Sequence, residues 1–269
     1  MNLIKKTLLQ IELFLKNILS FFFKRIFLSF YLKVDHYKLP IYIISYNRLS
    51  FLKQTVDWLR SYGYKNINII DNHSDYQPLL DYYRDCGCNV IRMKKNYGHL
   101  VFHKHFRFFF IRNFTFYVLS DPDLTPIKEC PPNFIEVFFK VMQNNLGYSK
   151  VGFSLKLDDL PDDYYLKEEV LLWESKFYKH EIGNTPVKLY DANIDTTFAI
   201  NSPKIFVAYL NRYKGVRTGV PYQVRHLPWY GEKESDELIH YQQTLRKDVS
   251  NWNGNISKER MQKRIKKHM

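Results

Sequence analysis

Residues 39–75 read LPIYIISYNRLSFLKQTVDWLRSYGYKNINIIDNHSD. The apolar run at 41–44 stops at the polar turn Ser45-Tyr46-Asn47, which marks a buried strand. Leu52, Val56 and Leu59 then recur at helical spacing, with Ser50 as the expected N-cap and Gly63 as the stop. A second apolar run follows and ends at Asp71-Asn72. Two buried strands joined through a helix pair in parallel.

The same unit repeats downstream. YQPLLDYYRDCG (76–87) predicts a helix, CNVIRMKKNYG (88–98) a third strand, LVFHKHFRFFFIRN (100–113) a third helix and FTFYVLSDPD (114–123) a fourth strand. The expected fold class is therefore α/β, a mostly parallel, Rossmann-like sheet flanked by helices. Ligands in such sheets sit at the carboxyl ends of the strands. Four polar clusters fall there: Ser45-Tyr46-Asn47, Asp71-Asn72, Asn96-Tyr97-Gly98 and Asp121-Pro122-Asp123.

After residue 130 the alternation fades. PPNFIEVFFKVMQNN (131–145) predicts a helix opened by prolines. KVGFSLKLDDL (150–160) predicts a strand leading into an acidic loop, and KLYDANIDTTFAIN (188–201) contains another strand. Residues 202–230 read as loop-rich and end in RHLPWY. The basic tail, 254–269, reads as a helix that is solvated or lies on acidic lipid.

Upstream, residues 1–35 are rich in Phe, Leu and Ile, but Glu12, Lys16, Lys24 and Arg25 interrupt them too often for a membrane span. No small-x-small cleavage site marks a signal peptide. Lys5, Glu12, Lys16, Ser20 and Lys24 fall on one helical face; Ile4, Leu8, Ile11, Leu15, Ile18, Phe22 and Ile26 fall on the other. This amphipathic pattern suits a helix in the membrane interface, with packing on its own domain or a partner subunit as the alternative. The 269-residue chain carries a formal charge of +13, which favours an anionic partner. Three cysteines in no disulfide or zinc spacing fit a reducing compartment.

The acid–Pro–acid cluster at 121–123 decides the chemistry. Two carboxylates one residue apart at a strand end can share Mg²⁺ or Mn²⁺, which completes its shell with phosphate oxygens. The plain alternative is an Asx-type turn. Position at the end of the fourth alternating strand favours the metal.

With these stretches together, the chain resembles a GT-A glycosyltransferase, most similar to the family 2 group that uses nucleotide-sugars. The resemblance rests on IYIISYNRLSFLKQTVDWL, INIIDNHS, KKNYGH and VLSDPDLTP, in that order, over roughly residues 39–130. It implies residues 36–253 as the catalytic domain, with 36–130 binding the nucleotide-sugar and 131–253 the acceptor. It implies Asp71 at the base or ribose, Ser45, Tyr46, Asn47 and Arg48 at the base, and Asn96 and Gly98 near the donor, with His99 as a phosphate contact. Asp121 lies near ribose or metal, and Asp123 is the principal metal ligand. A late histidine, His226, joins the metal, and Trp229 and Tyr230 stack on a sugar. The donor favoured is a UDP-sugar.

Inverting members need a carboxylate to deprotonate the acceptor hydroxyl. Asp195 and Asp191 are the candidates, Asp195 preferred because it precedes a β-rich run; the acids of 232–237 follow them. The acceptor implied is a glycan or lipid-linked molecule, as in bacterial cell-surface polysaccharide, lipooligosaccharide or capsule synthesis. The corresponding place is cytoplasmic, peripheral on the inner face of the cell membrane.

Two other classes compete. A nucleic-acid-binding protein would use the basic surface, but the charge concentrates at the termini and no binding module appears, so no nucleic acid is expected as a partner. A nucleotidyltransferase would want a glycine-bearing loop after the first strand, where SYNRLS has none. His99 and His103, at i and i+4, form a weak zinc pair without the usual glutamate.

Overall fold

The structure is a computed structural model that describes residues 3–183, 185–206, 214–231 and 234–245, with five tail residues between 259 and 266. Within the first helix the side chains at positions 3, 4, 9, 13, 16 and 17 lie outside the described set, as do Glu232 and most of the tail.

The fold is α/β, with a central sheet flanked by helices. Strands β1 (Ile41–Ser45), β2 (Ile67–Asp71), β3 (Asn89–Arg92) and β4 (Tyr117–Ser120) alternate with helices α2 (Leu49–Ser61), α3 (Gln77–Asp85), α4 (Val101–Lys104) and α5 (Phe109–Phe114). These four strands are parallel, in the order β3-β2-β1-β4. Strand order reverses between β1 and β4, and in open α/β sheets that switch point is where ligands bind.

Beyond β4 the sheet continues through β8 (Ala199–Asn201), β6 (Lys150–Leu155), β9 (Gly215–His226) and β5 (Leu124–Pro126), with β7 (Leu189–Asp191) also on β9. β8 runs antiparallel to both β4 and β6, whereas β6 and β9 are parallel. Parallel ladders supply the longer registers, β1–β2, β2–β3 and β6–β9. Trp58, Phe134, Phe153 and Phe198 fill one face, Phe134 and Phe153 with ring centroids 5.0 Å apart. Tyr42, Phe102, Phe108 and Tyr117 fill the other. Each such ring pair contributes about 0.5–1.5 kcal/mol beyond area burial.

Four sequence expectations need correction. The 202–230 stretch is not mainly loop: it holds β9, the longest strand. Thr218-Gly219-Val220-Pro221 resembles a turn in sequence, and the register indeed jumps there. Phe153 pairs with Thr218 but Ser154 with Gln223. Thr218 Oγ1 holds the excursion at 2.8 Å from Tyr222 O and 3.1 Å from Gly152 O.

The single helix expected over 100–113 is broken. His105 adopts an extended conformation, and its Nδ1 accepts the Arg107 N–H at 3.2 Å. Arg112 donates across the break to Phe102 O and His105 O. Because α4 starts at Val101, His99 and His103 share no helical face.

Ser50 is not the N-cap of α2. Its N–H (3.0 Å to Oε2) and hydroxyl (2.7 Å) donate instead to Glu237, on α8 (Asp236–Thr244). A distant carboxylate thus fills the N-terminal role that a local side chain usually takes.

The first helix, α1 (Leu3–Tyr31), turns its predicted polar face inward at its C-terminal end. Lys24 is 1% exposed and donates to Leu146 O at 2.9 Å and to Tyr148 O. Leu28 is fully buried, and Tyr31 packs edge-on to Phe116 at 4.6 Å. The apolar face points outward, with Phe14 at 64%, Phe22 at 61% and Phe30 at 68% exposed. Among the described residues no helix is long and apolar enough to cross a membrane. The tail is not simply solvated where it is described: Ile265 is buried against Leu166, and Gln262 Nε2 donates to Glu169 Oε1 at 2.9 Å.

Candidate active site

Strand β1 ends in a loop whose polar atoms are consumed within the protein. Asn47, held at φ 47°, receives the N–H groups of Asp75 (2.9 Å) and Tyr76 (3.1 Å) on its carbonyl. Its amide donates to Asp75 Oδ1 (2.8 Å) and Thr244 Oγ1 (3.0 Å). Tyr46 donates its hydroxyl to Thr244 O at 2.9 Å. Ser45 is fully buried beside Tyr83. Arg48, expected at the base, is instead buried between the rings of Phe51 and Tyr241 and lies 3.7 Å from Glu237.

The β2 and β3 loops are tied in the same way. Asp71 is fully buried and accepts from Ser74 N (3.1 Å), Tyr83 Oη (3.3 Å) and Arg92 Nε (3.0 Å). Asn72, named from sequence only as part of the strand-end cluster and given no role there, bridges Asn96 Oδ1 (2.9 Å), Gly98 O (3.0 Å) and Tyr97 N (2.9 Å). That network shapes the Asn96–Gly98 turn and leaves His99 exposed beside it.

At the end of β4 the pattern changes. Asp121 Oδ2 accepts the Thr196 hydroxyl at 2.5 Å, and Asp121 N donates to Thr196 O at 2.9 Å. Asp123 lies 3.4 Å from His226 Nε2, brought there by the antiparallel pairing of β5 with β9. Burial, then the negative charges of Asp123 and Asp195, push the Asp121 carboxyl upward; Thr196 and His226 pull it back. His226 Nδ1 is buried with no hydrogen-bond partner among the described residues, and its ring leans on Trp229 at 4.7 Å.

These features fit a divalent cation. Two acids oppose each other's charge, which a cation between them would relieve, and an imidazole already faces one of them. Carboxylate oxygens with one imidazole suit Mn²⁺, and carboxylates alone suit Mg²⁺. Among the described residues no group of three His, Cys, Asp or Glu is gathered tightly enough to close a shell unaided. Ligand oxygens would supply the rest, as is usual for Mg²⁺.

On the other side of β4 lies a cavity of about 840 Å³. Asp121, Asp195, His226 and Trp229 line it. Asp191 does not; it sits at the end of β7 by Tyr148. Tyr230 is also outside, its hydroxyl donated to Asp159 at 2.6 Å. Glu237, among the reserve acids, is committed to α2 as described above.

The loop that carries Asp195 is pinned from two sides. Lys150 Nζ donates to Ile194 O at 3.0 Å, and Arg217 Nε to Asn193 O at 3.0 Å. Arg217 in turn forms a buried ion pair with Glu174 at 2.8 Å and covers the Phe177 ring at 3.9 Å. Gly152 on β6 lets that loop's trailing strand come close, since a Cβ there would collide with Phe198 O and Ala199. Lys150, Glu174 and Arg217 were not legible as site residues, because each acts through a partner between 24 and 44 positions away.

No protein-family model matches the chain, and no curated protein matches it in sequence. Solved structures do match in shape. One is a mannosyltransferase, PcManGT from Pyrobaculum calidifontis, in a complex with GDP-Man and Mn2+. It shares 11% identity at a TM-score of 0.43, over 86% of this chain and 70% of that one. A likeness of that degree carries no functional information about this chain.

Proposed function

We propose that the chain is a metal-dependent glycosyltransferase that moves a sugar from a nucleoside-diphosphate sugar to an acceptor hydroxyl. One observation carries the reading: Asp123 and His226 meet 3.4 Å apart beside the β1–β4 switch point, with the Asp195 cavity directly across β4. The crevice over β1–β3 takes the nucleoside, with Asp71 and the Asn96–Gly98 turn as its frame. Asp123, with Asp121 and His226, holds Mn²⁺ or Mg²⁺, and a cation there offsets the charge of the diphosphate leaving group. Asp195 accepts the proton of the attacking hydroxyl from the cavity side. A UDP-sugar is the favoured donor, and the acceptor is a glycan or lipid-linked molecule of cell-surface polysaccharide assembly. The outward apolar face of α1 lies in the membrane interface on the cytoplasmic side, with Lys5, Lys6 and Arg25 exposed beside it.

A thermal-shift screen of UDP-, GDP- and CMP-sugars, each with and without Mn²⁺, tests this. At a ligand concentration about 100-fold above Kd, stabilisation is about 2.7 kcal/mol. Metal-dependent stabilisation by one nucleotide class supports the reading. No stabilisation by any of them, with or without metal, overturns it.

A further inference from the structure

The cavity across β4 is strongly basic. Lys104, Lys150, Lys176, Lys204 and Arg217 line it, against Asp121, Glu174 and Asp195. Glu174 is spent on Arg217. His103 also lines the cavity, and its imidazole is pushed down to about 4 by burial, with Lys150, Lys204, Arg112 and His99 adding to the effect. Burial is the larger cause of that shift; the lesser contributions of Lys150, Lys204 and Arg112 are the part that reports positive charge around the ring.

The positive charge is on the acceptor side. Lys150 stands on β6 and Lys204 just after β8, both beyond β4 from the nucleoside crevice. We propose that the cavity binds an acceptor bearing a phosphate group, seated between Lys150, Lys204 and Lys104. The word acceptor rests on the glycosyltransferase reading; the anion site does not.

Lysine geometry favours phosphate over carboxylate. Arginine recognises planar carboxylates with two parallel bonds, but Arg217 already gives two of its five donors to Glu174 and Asn193 O and is ion-paired with Glu174. The remaining cations are ammonium groups, which act on phosphate as point charges. An ammonium has three donors, of which Lys150 gives one to Ile194 O at 3.0 Å. A phosphate at neutral pH carries about −1.5 to −2 charges, opposite in sign to the lysine ammonium groups that line the cavity. The cavity also borders apolar surface: Ile205 follows Lys204, and Phe106 lies two residues past Lys104, both exposed. A phosphate joined to a lipid would have a place for its tail.

Trp173 and Trp229 line the cavity, so tryptophan fluorescence of the full chain reports its occupancy. The probes are n-octyl phosphate, n-octyl glucoside and inorganic phosphate, each below any micelle concentration. Octyl phosphate is expected to bind at least ten-fold tighter than octyl glucoside. Lys204→Gln should weaken octyl phosphate on the order of ten-fold and leave octyl glucoside unchanged, while Lys204→Arg restores binding. Octyl phosphate binding tighter than inorganic phosphate identifies a lipid-linked phosphate as the source; equal binding supports the site and identifies a soluble phosphorylated acceptor. Equal affinity for the phosphate and the glucoside, or no effect of Lys204→Gln, overturns the proposal. If nucleotide-sugar binding fails while octyl phosphate still binds, the glycosyltransferase reading falls and the anion site stands. The reverse result removes the anion site alone.

Discussion

The two sides of β4 handle polar groups in opposite ways. Over β1–β3, Asn47, Asp71 and Asn72 spend their hydrogen bonds on neighbouring loops, and Arg48 is buried under Tyr241 and Phe51. Over β8, β6 and β9, charged groups stand around an open cavity, with Lys150 and Arg217 donating to loop carbonyls and Arg217 also paired with Glu174. The first side is a frame whose shape is fixed before any ligand arrives. The second keeps charge in reserve. Asp121 and Asp123 lie on the seam, where a cation would face both. The loops after β1 and β2 therefore chiefly brace one another, and the polar groups left facing open space lie beyond β4.

The seam gives the largest expected effect. Asp123→Asn should lower sugar transfer on the order of 10³-fold and abolish metal-dependent nucleotide binding, while the thermal midpoint without ligand stays close to wild type. Retained transfer in a steady-state assay would break the division at β4. The frame comes next. Glu237→Ala takes the carboxylate from buried Arg48 and from the Ser50 N–H, and should cost about 3 kcal/mol in urea unfolding. A loss below about 1 kcal/mol would show that α8 is not part of the frame.

The cavity should reveal itself through pH. His103 has its folded value lowered to about 4 from an ordinary 6.5, so the unfolded chain takes up a proton first as pH falls. This group costs nothing at pH 7, and its penalty grows from about pH 6.5 down to about 4. Relative to His103→Gln, wild type should lose about 1–2 kcal/mol between pH 7 and pH 5 in parallel denaturation curves, allowing for solvent screening. Identical pH slopes would mean that His103 is not held in its buried, neutral form in the folded chain. Smallest of all, Lys53→Ala removes an exposed pair with Asp57 at 2.5 Å and should change stability by less than about 0.5 kcal/mol.

Much of the first side was legible because its strands pair with near neighbours in sequence. Apolar runs of four or five residues ending in Ser45, Asp71 and Ser120 mark β1, β2 and β4, and short loops leave few other topologies. What failed there was local: Ser50 looked like a cap, but a carboxylate 187 positions away serves that end. His105 broke a helix that its periodicity supports. The second side was largely illegible. β9 hides behind a Thr-Gly-Val-Pro turn signal, and it is this strand that brings His226 to Asp123. Asp195 could be named from its place before an apolar run, but its anchors could not, since Lys150 and Arg217 act on backbone carbonyls, which carry no sequence signature. The polar stripe of α1 packs on the domain only at its Lys24 end, while Lys5 and Glu12 stay exposed, because a lysine can be buried when carbonyls receive it.

The bonds from α8 to the first loop bear on the order in which the chain becomes competent. Asn47 leaves the ribosome 197 residues before Thr244, the hydroxyl that receives its amide, and Ser50 leaves 187 residues before Glu237. A nascent chain can pair β1, β2 and β3 early, yet the loop after β1 lacks these partners until residues 236–244 emerge and dock. In the proposed enzyme, donor binding would thereby be postponed to the end of synthesis.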